Sequence, residues 1–361
     1  MPNSLIFVDD SLPGITRKRS GKRGWAYFDV EDRRVTDREE IDRLNRVGLP
    51  PAYTDAWFAP SANAHILATG IDARGRKQYR YNPEFTAERD AHKFGSCISF
   101  GTLLPLLRRR LEDDLAGSAL SPERAVASVV RLLDSGRIRV GNEAYARANR
   151  SFGATTLRRR HAKLSRGKVT LRFKAKSGKL CEFGMTDRRL VRFVKQMQDL
   201  PGQHLFQYLR EDGTPVPVTS SDVNEYLRGV MGGNFTAKHF RTWRASVLAF
   251  EWLSERQSEG TVRAMLGYVS EHLGNTPAIA RKSYVHPALI DVALTQPAGF
   301  RETLRLPRKT RWLSRHERGL IAWLEELQAA ADQPAKSEQG AAPANQKQAR
   351  RPAPASAPRS A

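Results

Sequence analysis

The sequence predicts an α+β protein, a small N-terminal antiparallel β-rich domain followed by a mainly α-helical domain with one small sheet or hairpin. Three observations predict it. Between residues 15 and 85, short alternating runs such as WAYFDV and KQYRY are bounded by Gly, Asp and Pro, the pattern of half-buried strands joined by turns. From about residue 90 to 300, apolar residues recur mostly at helical spacing. Within that region KVTLRFKAK and KLCEFGM read instead as two strands meeting around Ser177 and Gly178, a hairpin.

Taken in order, the β-rich part holds strands around one helix, TDREEIDRLNRVG. The composition then changes. LLPLLRRRLEDDLAG and SPERAVASVVRLLDSG are amphipathic helices, the second with Ser121 as cap, Pro122 at its first position and Gly136 beyond its end. After the hairpin come four more helical stretches, TDRRLVRFVKQMQDL, SSDVNEYLRGVMG, AKHFRTWRASVLAFEWLSE and GTVRAMLGYVSEHLG. In GNTPAIARKSYVHP, Thr276 and Pro277 open a further helix, with Asn275 free to help cap it. The expected boundaries are residues 1–88 for the β-rich domain, 89–305 for the helical domain and 306–330 for a short helical extension. From 331 to 361 an Ala, Pro, Gln and Ser-rich tail cannot bury a core and is expected to be disordered.

Sixty Lys plus Arg against 38 Asp plus Glu leave a formal charge of +22, spread along the chain. Such a charge asks for a polyanion, and dispersed cations suit nucleic acid, where neutralising phosphates releases counterions. No stretch approaches the ~18 apolar residues of a membrane span. MPNSLIFVDDSLPG lacks the basic start and apolar length of a signal peptide, so the protein is expected to stay inside the cell. Cys97 and Cys181 form no CxxC and read as buried, reduced thiols, and the histidines show no paired spacing, which points to metal-free chemistry.

Four stretches place charge where charge needs a reason. In GRIRVGNEAYARANRSFG, Arg139 lies between Ile138 and Val140, aimed either into a cleft or at a carboxylate such as Glu143. In LRFKAKSGKLCEF, Lys176 abuts the hairpin turn, where a lysine is ordinarily solvated. In TAKHFRTWRASVLAF, Lys238 and Arg241 share a helical face and repel unless an anion, phosphate or internal carboxylate, sits beside them. In the fourth, Tyr284 is either a core tyrosine or a nucleophile placed with Asn275 nine residues upstream.

RVGNE, then Gly153 to His161 as GxxTLRxxH, a lysine in a β-hairpin, KxFRT and LGNTPxxxxxSY follow one another in this order over roughly residues 10 to 300. In that conjunction the chain resembles the type IB DNA topoisomerases, in the short poxvirus-like form found in bacteria. The resemblance implies an enzyme in which Tyr284 is the nucleophile, with Arg139, Lys176, Arg241 and Asn275 around the scissile phosphate. It implies strand nicking through a 3′-phosphotyrosyl intermediate, then relaxation of positive and negative supercoils by strand rotation, and religation. No ATP, metal or other cofactor is implied, and no GxxxxGK[ST] loop is present. The partner it implies is double-stranded DNA, held by a monomer closing around it, and the protein is expected to be cytoplasmic and nucleoid-associated.

Each implied role suits the residue type. Phenol has a pKa of about 10, so attack gains from neighbouring cations. Guanidinium forks match the non-bridging oxygens. Lysine can protonate the leaving 5′-oxygen, with Lys174 and Lys179 as alternatives to Lys176. Many relatives carry histidine at Asn275, whose amide donates a hydrogen bond but no charge. By position, Gln78, Tyr79, Tyr81 and Tyr145 resemble DNA contacts, unless the two tyrosines fill a small core. Lys238 joins Arg241 at the backbone, and Arg158, Arg159, Arg160 and Lys163 follow phosphates or are solvated surface. Two other readings remain: a tyrosine recombinase, which shares the chemistry but usually has HxxR where Lys238 begins KHFR, and a non-catalytic architectural DNA-binding protein, which charge alone permits.

Overall fold

The computed structural model describes residues 5–21, 24–255, 261–295 and 297–332. The N-terminal part is a five-stranded antiparallel sheet. Its elements are β1 (Ile15–Ser20), β2 (Gly24–Phe28), helix α1 (Arg38–Arg46), β3 (Thr54–Phe58), β4 (Ile66–Ile71) and β5 (Lys77–Tyr81), in the spatial order β2-β1-β3-β4-β5. Asp37 caps α1 by accepting from the Glu39 amide at 3.0 Å, and Leu44 carries the helix onto a core of Ile15, Tyr27, Leu49, Ala56, Phe58 and Ala68. β5 is left as an edge strand, and its tyrosines are exposed.

The second part begins with α2 (Pro83–Ala116), α3 (Pro122–Asp134) and α4 (Glu143–Asn149), then the three-stranded sheet β6 (Ala162–Ser165), β7 (Lys168–Lys174) and β8 (Leu180–Met185). It continues through α5 (Arg188–Gln198), a small pair β9 (Gln207–Leu209) and β10 (Pro215–Pro217), α6 (Ser220–Met231) and α7 (Ala237–Glu255). The last elements are α8 (Val262–Leu273), α9 (Pro277–Ser283), α10 (Pro287–Thr295), α11 (Pro297–Thr303) and α12 (Arg315–Asp332). α7 is the central helix, almost wholly buried, with α2, α8 and α12 packed against it. Among the described residues no helix is long and apolar enough to cross a membrane.

The α+β class and the hairpin stand as expected, with three differences in detail. α2 starts at Pro83, capped by Asn82, so the expected boundary after residue 88 falls inside a helix. NPEF follows directly on a strand, and the cap-and-proline signal was masked by it. Strands β6, β9 and β10 carry too few alternating residues to register locally, and form by pairing with partners the fold supplies. Cys97 is buried, its thiol pushed up to about 12 by burial, whereas Cys181 is only half-buried. The helical extension is present as α12, and from residue 333 the tail lies outside the described residues.

α12 is tied to α2, α3 and α7 by a buried hub. Arg108 on α2 bonds Asp134 at the end of α3 at 2.9 Å and Glu317 of α12 at 2.7 Å, and donates to the Trp312 carbonyl. Glu317 also accepts from the Trp243 indole of α7 at 3.3 Å. Removing one partner of such a buried pair typically costs about 3–5 kcal/mol. The hub therefore fixes the end of α3, from which the segment carrying Arg139 emerges.

Candidate active site

Arg139 lies in an irregular segment just after α3, and the motif Gly153 to His161 is its support. The Arg139 carbonyl accepts from the Ala154 amide at 2.8 Å, and the Val140 carbonyl from the Thr155 amide at 2.7 Å. Gly141 has φ +100°, and a Cβ on Gly153 would lie 2.5 Å from the Gly141 nitrogen. Two backbones thus touch where no side chain fits, which is why both motifs need glycine. The Phe152 amide donates to the Lys174 carbonyl at 2.7 Å, joining this support to the end of β7. Glu143 is not the partner of Arg139. It pairs with Arg158, with Arg147 at 3.4 Å and with His204 at 3.4 Å, and among the described residues Arg139 has no carboxylate partner.

Arg241 is 3% exposed. Its Nη1 donates to the Gly136 carbonyl at 3.2 Å and its Nη2 to the Leu273 carbonyl at 2.9 Å, gripping the ends of α3 and α8, where carbonyls lack helical partners. Its Nε has no partner, and no carboxylate faces it among the described residues. Its guanidinium carbon lies 4.9 Å from the centre of the Tyr284 ring. Burial and the neighbouring Arg139 lower its proton affinity from the usual guanidinium value, but a guanidinium remains charged.

Tyr284 caps the C-terminus of α9, whose seven residues begin at Pro277 after the N-cap Thr276, with Thr276 Oγ1 accepting from the Ile279 amide at 3.3 Å. It is therefore at a helix end and not on a helix face. Val285 beside it is fully buried, and Ser246 of α7, whose hydroxyl donates to the Thr242 carbonyl at 2.9 Å, lies 3.5 Å from the Tyr284 carbonyl and accepts from the His286 amide at 3.1 Å. The nucleophile candidate and Arg241 are thus held by the same helix. Burial alone would raise the phenol's pKa. Charge and hydrogen bonding from Arg241 and then Arg139 outweigh it, and the phenol is lowered from its ordinary value.

Lys176 occupies the turn between β7 and β8, where Ser177 and Gly178 both have left-handed backbones, φ 66° and 74°. It is exposed and lines a cleft of about 250 Å³ with Arg137, Arg139, Asn142, Tyr145 and Phe152. Lys174 and Lys179 are not among the lining residues. Asn275 does not cap α9, since Thr276 does. Both polar atoms of its amide are buried without a hydrogen-bond partner, two residues after the Leu273 carbonyl that Arg241 grips. An unmatched buried amide is costly, of order 1–3 kcal/mol, and calls for a ligand.

Residues 24–72 match the family model for the N-terminal domain of bacterial DNA topoisomerase IB, and residues 82–279 that for the catalytic core of eukaryotic DNA topoisomerase I. The chain belongs to the type IB DNA topoisomerases. DNA topoisomerase 1B of Acanthamoeba polyphaga mimivirus is 31% identical over 305 residues, covering 81% of this chain and 90% of that protein. DNA topoisomerase 1B of Vaccinia virus (strain Copenhagen) is 20% identical over 265 residues, 71% of this chain and 82% of that one. The solved pre-cleavage complex of the XerH site-specific recombinase with difH aligns over 53% of this chain and 52% of its own, at TM-score 0.32 and 15% identity. The protein is thus an isomerase acting on DNA topology, with duplex DNA as its partner.

In this topoisomerase the outer cationic and aromatic residues divide into two groups. Tyr79 and Tyr81 are 42% and 37% exposed and stack on each other at 5.8 Å, so they do not fill a core. Gln78 donates to Asp72 at 3.0 Å, and Lys238, Arg160 and Lys163 are exposed. Arg158 and Arg159 are committed internally, the first to Glu143 and His204, the second to the carbonyls of Gln198 and Leu200. Lys238 is exposed while Arg241 is buried, so the shared helical face does not make them one site. Tyr145 is half-buried in the cleft, within reach of Arg76 from the β4–β5 turn of the N-terminal sheet. Sequence reasoning passed over Arg137 and Ser246. The alternation of Arg137 with Arg139, and a serine inside the apolar run of α7, are the signals that could have found them.

Proposed function

We propose that Tyr284 attacks a backbone phosphorus of one strand of duplex DNA, breaking the bond to the 5′-oxygen and leaving a 3′-phosphotyrosyl link. The observation that carries this reading is the convergence of Arg139 and Arg241 on the Tyr284 phenol, with no carboxylate partner for either among the described residues. Two such cations need an anion, and a phosphodiester supplies it. The family match ends at residue 279, before Tyr284, so the nucleophile rests on this geometry and on the motif LGNTPxxxxxSY.

The arginines stabilise the charge that gathers on the non-bridging oxygens, and favour the phenolate that attacks. Lys176 gives its proton to the departing 5′-oxygen. The Asn275 amide donates to a non-bridging oxygen. The phosphotyrosyl bond conserves the energy of the phosphodiester, so after the free end has rotated its 5′-hydroxyl attacks the phosphorus and releases Tyr284, the first step in reverse, without ATP, bound nucleotide or metal. The β-rich domain, with Gln78, Tyr79 and Tyr81 on or beside its edge strand, and the helical domain, with Tyr145, Lys238 and Arg160, close on the duplex as a monomeric clamp. Arg76 meeting Tyr145 supports that closure.

The test is to mix the protein with a plasmid in EDTA without ATP and stop with denaturant. Covalent protein on nicked DNA and relaxation without a special site are expected. Binding without adduct would leave an architectural protein, and exchange between paired sites a recombinase. Asn275→Ala is expected to slow single-turnover cleavage on the order of 10²-fold with duplex affinity kept. Asn275→His is expected to cleave faster than wild type, the more so below about pH 6.5 where imidazole is charged. Equal rates across all three would remove Asn275 from the site.

A further inference from the structure

The segment from Gly136 to Val140 places a second arginine beside the one the motif names. Gly136 turns the chain with φ +70° and presents its carbonyl to Arg241. Ile138 is 2% exposed and anchors the segment in the core, while Arg137 is exposed and Arg139 half-buried. Ile138 enters the core between them, so both arginines turn away from it. Both line the cleft that also holds Tyr145 and Lys176.

The Arg137 amide donates to Ser135 Oγ at 3.4 Å, and its guanidinium forms no ion pair with an acid among the described residues. On the half-buried Cys181 thiol, which burial pushes up, the charges of Arg241, Arg137 and Arg139 all act. On Tyr284 the charges of Arg241 and Arg139 act. Arg137 thus belongs to the same cationic cluster, and it lines the cleft together with Lys176 of the hairpin turn.

We propose that Arg137 is a further catalytic residue, a third cation that takes a non-bridging oxygen of the scissile phosphodiester from the side of the leaving 5′-oxygen. The inference rests on the reading of Tyr284 as nucleophile. In-line displacement sets the entering and leaving oxygens on opposite sides of phosphorus, and Arg139 spans both, touching Tyr284 and lining the cleft with Lys176. A guanidinium beside Lys176 stabilises charge as the 5′-oxygen departs. The neutral amide of Asn275 leaves that added charge to Arg137.

The experiment measures single-turnover cleavage at saturating enzyme, on a duplex whose cleavage site has been mapped from the wild-type covalent adduct. Wild type, Arg137→Ala and Arg137→Lys are compared on the ordinary duplex and on duplexes carrying a neutral methylphosphonate at the scissile position or at the next phosphate on the 5′-hydroxyl side. Arg137→Ala is expected to cleave on the order of 10²-fold more slowly, with part of the loss restored by Arg137→Lys. The difference should vanish on the scissile methylphosphonate, whose neutral phosphorus no longer rewards the cation, and persist on the neighbouring one. Cleavage by Arg137→Ala at the wild-type rate would overturn the proposal, as would a penalty that vanishes only with the neighbouring methylphosphonate. A wild type that forms no adduct would instead overturn the reading of Tyr284 on which it rests.

Discussion

Tyr284→Phe is expected to bind duplex DNA as wild type does and to form no covalent adduct, with relaxation lost completely. The substitution removes one oxygen. It keeps the ring beside Arg241, 4.9 Å from the guanidinium carbon, and keeps the backbone contact with Ser246, so the site should retain its shape. Affinity comes mainly from phosphates met across the surface of a chain carrying +22 charges, and is not expected to move. The measurement is plasmid relaxation alongside denaturant-trapped adduct, with binding followed by gel shift at a stated salt concentration. Relaxation by the purified variant would sink the assignment. The adduct in wild type should map to a peptide containing Tyr284, and a label on any other tyrosine would have the same force.

Lys176→Ala is expected to lose about 10²–10⁴ in single-turnover cleavage, the range for a lost general acid. The loss should be selective for the leaving group. A 5′-bridging sulfur departs as a thiolate, whose conjugate acid has a pKa of about 8.5 and needs no proton at neutral pH. On that substrate Lys176→Ala and wild type are expected to cleave at similar rates. Arg139→Ala should gain no such rescue, because its guanidinium acts on the non-bridging oxygens. If sulfur fails to rescue Lys176→Ala, the acid is elsewhere, and Lys174→Ala and Lys179→Ala on the same two substrates would find it. The cleft favours Lys176, which lines it with Arg139 and Tyr145.

Much of the fold is legible because it is written in local pattern. The strand alternation of KQYRY, the cap and proline at Ser121 and Pro122, and the hairpin around Ser177 and Gly178 all follow from neighbours in sequence. The long helix α2 was legible only in its second half, because its start abuts a strand. Short strands such as β9 and β10 were not legible, since three residues carry no reliable period. In the proposed site, motif order was enough to single out Tyr284, Arg139, Arg241, Lys176 and Asn275 as candidates. It was not enough to name their neighbours. The arginine run at 158–160 reads as one basic patch, yet Arg158 and Arg159 turn inward to Glu143, His204 and the Gln198 and Leu200 carbonyls.

By itself the sequence determined that the chain joins a β-rich unit to a helical one, that it is built for a polyanion, and which residue types stand ready for phosphoryl chemistry. Those properties reside in composition, period and spacing. Tertiary structure decided which charges are left unpaired. Arg241 grips the Gly136 carbonyl across 105 residues of sequence, Glu143 is drawn away from Arg139 by Arg158, and Ser246 on α7 holds the backbone of Tyr284. Electrostatic interactions act through space, and burial strengthens them by removing water. Only the packed fold could therefore turn two ordinary arginines into unmatched cations facing a phenol.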